Sequence, residues 1–271
     1  MMRIFRDLRL FFLRDLRIAR TYRSPFILEA IEALLTATMF FYGARFVDSP
    51  ELRASLPQGH SYFAYALVGF VFFDYLTAAL NTFERTLQEA RDTGTLEPLL
   101  VTQVSLPVVL AGSSLYSFCE TTLRIMVYLG WGAILFGFPL ASANWISVIA
   151  VIITTLLAFS ALGIFSASFL LLFKRGNPGK WLIVGISSIV GGMLFPVSIL
   201  PDWLQVLAHL NPVTYAMDAM RAALLDGANL ATIGRPLLIL TGSALILLPL
   251  SMTAFGWALR QTKMNGTLTH S

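Results

Sequence analysis

Residues 145–173 contain no Asp, Glu, Lys, Arg or His. As a helix this run would rise about 43 Å, whereas about 20 apolar residues already cross the hydrocarbon core of a bilayer. A chain carrying such a segment must bury it on every side or place it in lipid, and composition decides between the two. Of 271 residues, 56% are hydrophobic and 13% charged, against the about 25% charged residues of ordinary soluble domains. So little charge cannot cover one or two water-soluble domains, and the solvent is therefore the membrane. Cys119 is the one cysteine, which excludes an internal disulfide and a cysteine-based zinc site; His60, His209 and His270 are too scattered to make a ligand set.

The expected fold is all-α and integral to the membrane, one transmembrane domain over residues 1–271. Six apolar stretches are predicted to cross: 26–46, 61–80, 106–138, 145–173, 181–195 and 236–259. The third and fourth exceed one perpendicular crossing and should tilt or run past the hydrocarbon boundary. The fifth is too short. Its straight-helix rise is only about 22 Å, and Pro196 follows at once, so a broken or re-entrant element should complete it. Irregular backbone at that depth requires protein or a water-filled cavity to satisfy it.

Lys and Arg set the orientation. Arg3, Arg6, Arg9, Arg14, Arg17, Arg20, Arg23, Arg85, Arg91, Lys174, Arg175, Lys180, Arg260 and Lys263 fall on one side; Arg45, Arg53, Arg221 and Arg235 fall on the other. Fourteen against four predicts both termini in the cytoplasm. Segment 1–25 lacks the apolar run and small-residue cleavage site of a signal peptide. Ile4, Phe5, Leu8, Phe11, Phe12 and Ile18 share one helical arc and the arginines another, with Leu10, Leu13 and Asp15 as exceptions, which predicts an amphipathic helix in the headgroup plane.

Three further regions are predicted to carry what is particular to the chain. After the second span, 82–92 reads as a charged helix, Thr93-Gly94 as a break, and Thr95 to Leu100 as a second amphipathic turn capped by Thr95, with Pro98 tolerated in its first turn. Taken alone, that loop is equally an ordinary solvated connector. Before the last span, 196–228 is too long and too apolar for a simple loop. One helix should begin at Pro201-Asp202-Trp203-Leu204; Asn211-Pro212 should break it; another should run from Val213 to Asp226-Gly227. The pair reads as a re-entrant hairpin that forms a lid. Asp218 and Arg221 stand at helical spacing, which predicts a surface ion pair of little energetic weight.

The third region is the set of ionisable residues inside spans. Each costs about 2.5–3.5 kcal/mol at mid-bilayer, so each should face a cavity, a partner or another charge. Glu120 and Arg124, four apart in the favourable order, are expected to pair along their own helix. Glu29 and Glu32 are expected to meet Arg20 or Arg23. Asp74, flanked by Phe73 and Tyr75, marks a candidate polar inner face of the second span, with helix-packing glue as the alternative role. No phosphate-binding loop occurs: Gly179-Lys180 lacks both the earlier glycine and the following hydroxyl. No His lies in a span beside a nucleophile and no His-Glu-x-x-His occurs, so no catalytic residue, metal or cofactor is assigned to the chain and it is not read as an enzyme.

Two motif regions resemble the membrane subunit of type 2 ABC exporters, the permeases for drugs, lipids, lipo-oligosaccharides and polysaccharides. Glu84-Arg85, then Gly94-Thr95-Leu96-Glu97-Pro98-Leu99-Leu100, look like that family's coupling segment. Gly191-Gly192-Met193-Leu194-Phe195-Pro196, Leu200-Pro201-Asp202-Trp203-Leu204 and Asn211-Pro212-Val213-Thr214-Tyr215-Ala216-Met217-Asp218-Ala219-Met220-Arg221 look like its signature, and are the more specific. The resemblance implies a half-transporter of a bacterial inner membrane: two permease copies, taken as identical, and two separate ATP-binding subunits that hold ATP and Mg. Glu84, Arg85, Gly94, Thr95, Leu96, Glu97 and Pro98 would couple to the ATPase. Pro196, Pro201, Trp203, Pro212 and Tyr215 would gate the outer end. Phe73, Asp74 and Tyr75 would line the path. Membrane lipids are the other expected partner, and no nucleic acid is. The competing reading is an ion-coupled carrier or channel, motivated by Asp74 and by Glu120 with Arg124.

Overall fold

The computed structural model describes residues 24–47, 56, 60–92, 106–173 and 176–264. The segment up to residue 23 and the coupling residues from Gly94 to Pro98 lie outside them. Eight α-helices and no strand are found among the described residues: α1 (Ser24–Val47), α2 (Tyr62–Asp92), α3 (Leu106–Phe136), α4 (Trp145–Leu172), α5 (Pro178–Val190), α6 (Asp202–Leu210), α7 (Pro212–Leu224) and α8 (Gly234–Met264). Four of them, α1, α2, α4 and α8, are long and apolar enough to cross a membrane. With 31 residues α3 has the length but carries Glu120 and Arg124. With 13 residues α5 rises about 20 Å, short of a full crossing.

The core lies around α2. Its first part is apolar on every side, and Ala64, Leu67, Val68, Val71, Phe72, Leu76, Ala79 and Leu80 are all buried, while Asp74, Thr77, Asn81 and Arg85 form a polar strip along the rest. By contrast, α1 and α8 bury less than a fifth of their apolar spans. Small residues bring α4 close to its neighbours: Ser147, Val151, Thr155, Ala158, Ala161 and Ser166 are buried along it. A Cβ on Gly163 would overlap the ring of Phe83 and crowd the Ala79 carbonyl, so glycine permits the α4–α2 crossing there.

Two boundaries differ from the sequence expectation. The second span and the charged helix after it form one continuous element, α2, because neither Gly nor Pro interrupts residues 81–92. The fifth helix begins and ends earlier than 181–195. Asn177 accepts the Lys180 N–H at 3.0 Å and Pro178 occupies the first helical position, which starts α5; Gly191 and then Gly192, at φ +72°, end it. Both short helices fall where their caps predict. The Asn211 side chain accepts the Val213 N–H at 3.0 Å, so one residue closes α6 and opens α7.

Candidate functional site

The stretch between α5 and α8 folds back on the start of α2, and Arg221 holds it there. This arginine is buried. Its Nε and Nη2 both donate to the Tyr65 carbonyl at 3.2 Å, Nη2 also donates to the Met193 carbonyl at 2.8 Å, and its Cζ lies 3.5 Å from the centre of the Tyr65 ring. The Tyr65 hydroxyl donates to the Gly192 carbonyl at 3.2 Å. The expected surface pair with Asp218 is therefore corrected: Asp218 is exposed, while the guanidinium turns inward to the Tyr65 carbonyl of α2 and the Met193 carbonyl beyond α5. Gly69 makes the approach possible, since a Cβ there would overlap both the Met193 carbonyl oxygen and Arg221 Nη2.

More ties hold the same hairpin. Asn211 Nδ2 donates to Ser187 Oγ at 3.1 Å and Thr214 Oγ1 to the Val190 carbonyl at 3.3 Å, which joins α7 to α5. The far end of α7 is held by the α3–α4 connection: the Asn144 N–H donates to the Ala223 carbonyl at 2.9 Å and Ser142 Oγ to the Leu225 carbonyl at 3.1 Å. His60, just ahead of α2, meets Asp226 at 2.5 Å. Of the expected gate residues, Pro196 is buried, Pro212 opens α7, and the Tyr215 hydroxyl donates to the His209 carbonyl at 2.9 Å. Pro201 and Trp203 are exposed. Trp203, Val206, Leu207 and Leu210 form the open apolar face of α6, and Ala208 turns into the protein.

The charged cluster lies elsewhere, across α1, α2 and α3. Arg124 Nη1 is 3.4 Å from Asp74 Oδ2, and Nη2 is 3.7 Å from Glu29 Oε1. Arg124 thus bridges helices instead of pairing with Glu120 along its own, as expected; two carboxylates from neighbouring helices reach its fork. Arg20 and Arg23, the partners expected for Glu29, lie outside the described residues. Of the expected path residues, Asp74 alone is partly exposed. Phe73 and Tyr75 are buried, and the Tyr75 hydroxyl donates to Thr122 Oγ1 at 2.8 Å. Near Tyr75 a small apolar cavity of about 40 Å³ opens among α2, α3, α4 and α7, bounded by Val71, Phe72, Thr122, Met126 and Trp145.

At the other end of α2, Glu84 Oε2 and Lys180 Nζ are 2.9 Å apart. Of the two expected coupling residues that are described, Arg85 is exposed and Glu84 is turned to α5. Sequence reading missed Tyr65, Gly69, Lys180 and the buried role of Arg221. One signal was available for Arg221: an arginine among the apolar residues of α7 must find buried acceptors if that helix packs inward. No local pattern announces Tyr65 or Lys180, because their partners are 156 and 96 residues away.

A helical bundle with a proline-broken hairpin latched over one end also has relatives. Residues 8–225 match the family model described as ABC-2 type transporter. The inner membrane transport permease YadH of Escherichia coli K12 is 25% identical over 185 residues, covering 68% of this chain and 71% of that protein. Nodulation protein J of Neorhizobium galegae is 26% identical over 177 residues, covering 62% of this chain and 63% of that one. Nodulation protein J of Sinorhizobium fredii is 27% identical over 173 residues, covering 62% and 64%. With the family pattern running from before α1 to the end of α7, through every element that builds the latched hairpin, this chain belongs to the ABC-2 type transporter family as a membrane-embedded permease.

Proposed function

We propose that the chain is the permease subunit of an ATP-driven exporter of an amphiphilic or glycan-type substrate. Two copies form the path and two separate ATP-binding subunits, holding ATP and Mg, dock beneath it. Six segments cross the inner membrane, α3 and α5 with its following turn adding to the four longer spans, and both termini face the cytoplasm. Segment 82–100 lies at the ATPase, and α6 with α7 closes the outer end. The observation that carries this reading is the family match over residues 8–225. The latched hairpin supports it: a lid must be rigid in itself and tied to the helices that move it, and Arg221 supplies such a tie.

The test is reconstitution. The purified chain alone is expected to hydrolyse no ATP. Co-expressed with an ATP-binding subunit encoded in the same genome it is expected to copurify, and vesicles containing both should move labelled amphiphile on ATP addition. Absence of a stable complex with any encoded ATPase would overturn the reading. The Asp74–Arg124–Glu29 cluster favours the second reading, an ion-coupled carrier. Under it, a proton gradient would drive transport without an ATPase and Asp74→Asn would abolish it.

A further inference from the structure

Lys180 stands at the third position of α5, after Pro178 and Gly179, where the unpaired N–H groups of a helix already concentrate positive charge. A lysine there disfavours the helix locally, so the helix's own stability does not explain it. Its charge is met from another element: Glu84 of α2, three-quarters or more buried, lies 2.9 Å away. The same end of α5 is seated on α4, with Asn177 Nδ2 donating to Ser166 Oγ at 3.0 Å and Gly179 pressed against the Phe169 ring. Its other end is bonded to α7 through Ser187–Asn211 and Val190–Thr214, and the turn beyond it to Tyr65 and Arg221. Hence α5 and the hairpin make one body, joined to α2 at two levels, Tyr65 and Glu84, about 28 Å apart along the helix. Past Glu84, α2 runs on to Asp92, within the segment proposed to lie at the ATPase.

We propose that Glu84 and Lys180 are positioning residues whose ion pair pins α5 to the end of α2 nearest the ATPase, so that displacement of that end is carried along α5 to the hairpin. The proposal rests on the exporter reading above. It differs from the role expected for Glu84 from the family resemblance, a direct contact with the ATPase. An ordinary partly exposed ion pair adds little stability and transmits nothing, so the experiment must read movement as well as folding.

The full permease with its ATPase, in lipid nanodiscs, carries Cys119→Ser and Ser198→Cys, the latter an exposed position before α6 for an environment-sensitive thiol probe. ATP hydrolysis and the ATP-dependent probe signal are measured together for the parent, Glu84→Lys, Lys180→Glu and the double exchange. For each single reversal the probe response per ATP hydrolysed is expected to fall about fivefold or more, and the double exchange to recover most of it. Single reversals with full response, or a double exchange no better than the singles, would overturn the joint while leaving the exporter reading intact. A parent that assembles with no ATPase overturns both. Glu84→Gln and Lys180→Met, which keep side-chain volume, replace any reversal that fails to fold and are expected to show the same loss; a full response in them would also overturn the joint.

Discussion

Arg221 combines a buried charge with hydrogen bonds to no carboxylate among the described residues, Asp218 acting on it only through space, and its acceptors are carbonyls of two other segments. Replacement by lysine keeps the charge but loses the planar fork that reaches Tyr65 and Met193 together. Arg221→Lys should therefore lower stability by about 1–3 kcal/mol, read as earlier thermal unfolding in detergent, and should raise protease access to the hairpin. Gly69 gives an independent check on the same latch. Gly69→Ala puts a methyl group into the Met193 carbonyl, a backbone atom that cannot swing aside, and should cost about 1–3 kcal/mol. Gly43 in α1 has open space where its Cβ would be, so Gly43→Ala should be neutral or stabilising by up to about 1 kcal/mol. Equal melting of the two alanine variants would remove the tight approach.

Among the elements, α5 is the informative one, because it is too short to cross the bilayer and is bonded at both ends. Asn144 and Asn211 both cap helices, accepting from Ser147 N at 3.2 Å and Val213 N at 3.0 Å, but only Asn211 also donates to α5, at Ser187. Losing a cap typically costs about 1 kcal/mol. Asn144→Ala should show that loss, and Asn211→Ala about 1 kcal/mol more for the broken α5–α7 tie. Melting temperatures of the two variants measured side by side check the difference. The continuity of α2 matters for the same reason: a helix running without a break from the hairpin latch to Asp92 is a stiff connection between the two ends of the molecule.

For the whole molecule, the open apolar faces of α1 and α8 agree with a chain surrounded by lipid, not with a self-sufficient soluble bundle. Function then depends on partners. Replacing Leu96 or Glu97 with alanine should leave the amount of folded permease unchanged while transport per ATP hydrolysed falls several-fold, about 1 kcal/mol or more of lost coupling. Vesicle transport assayed beside phosphate release measures it, and an unchanged ratio would remove these two residues from the coupling role.

Local chemistry was enough to read the class of solvent, the helical content, the truncated fifth helix and the proline-broken pair that became α6 and α7. Each depends on neighbours within a few residues: an apolar run, an Asn-Pro cap, a Gly-Gly stop. The signature around Arg221 was legible as a motif but not as a latch. Which face of α7 turns inward, and that Tyr65, Gly69 and Met193 meet it, follow from packing three segments together. Likewise Arg124 chose Asp74 and Glu29 over the nearer Glu120, and Lys180 found Glu84, because a charge in a low-dielectric bundle takes the acceptor that the helix crossings bring within reach, and no spacing along one helix encodes those crossings.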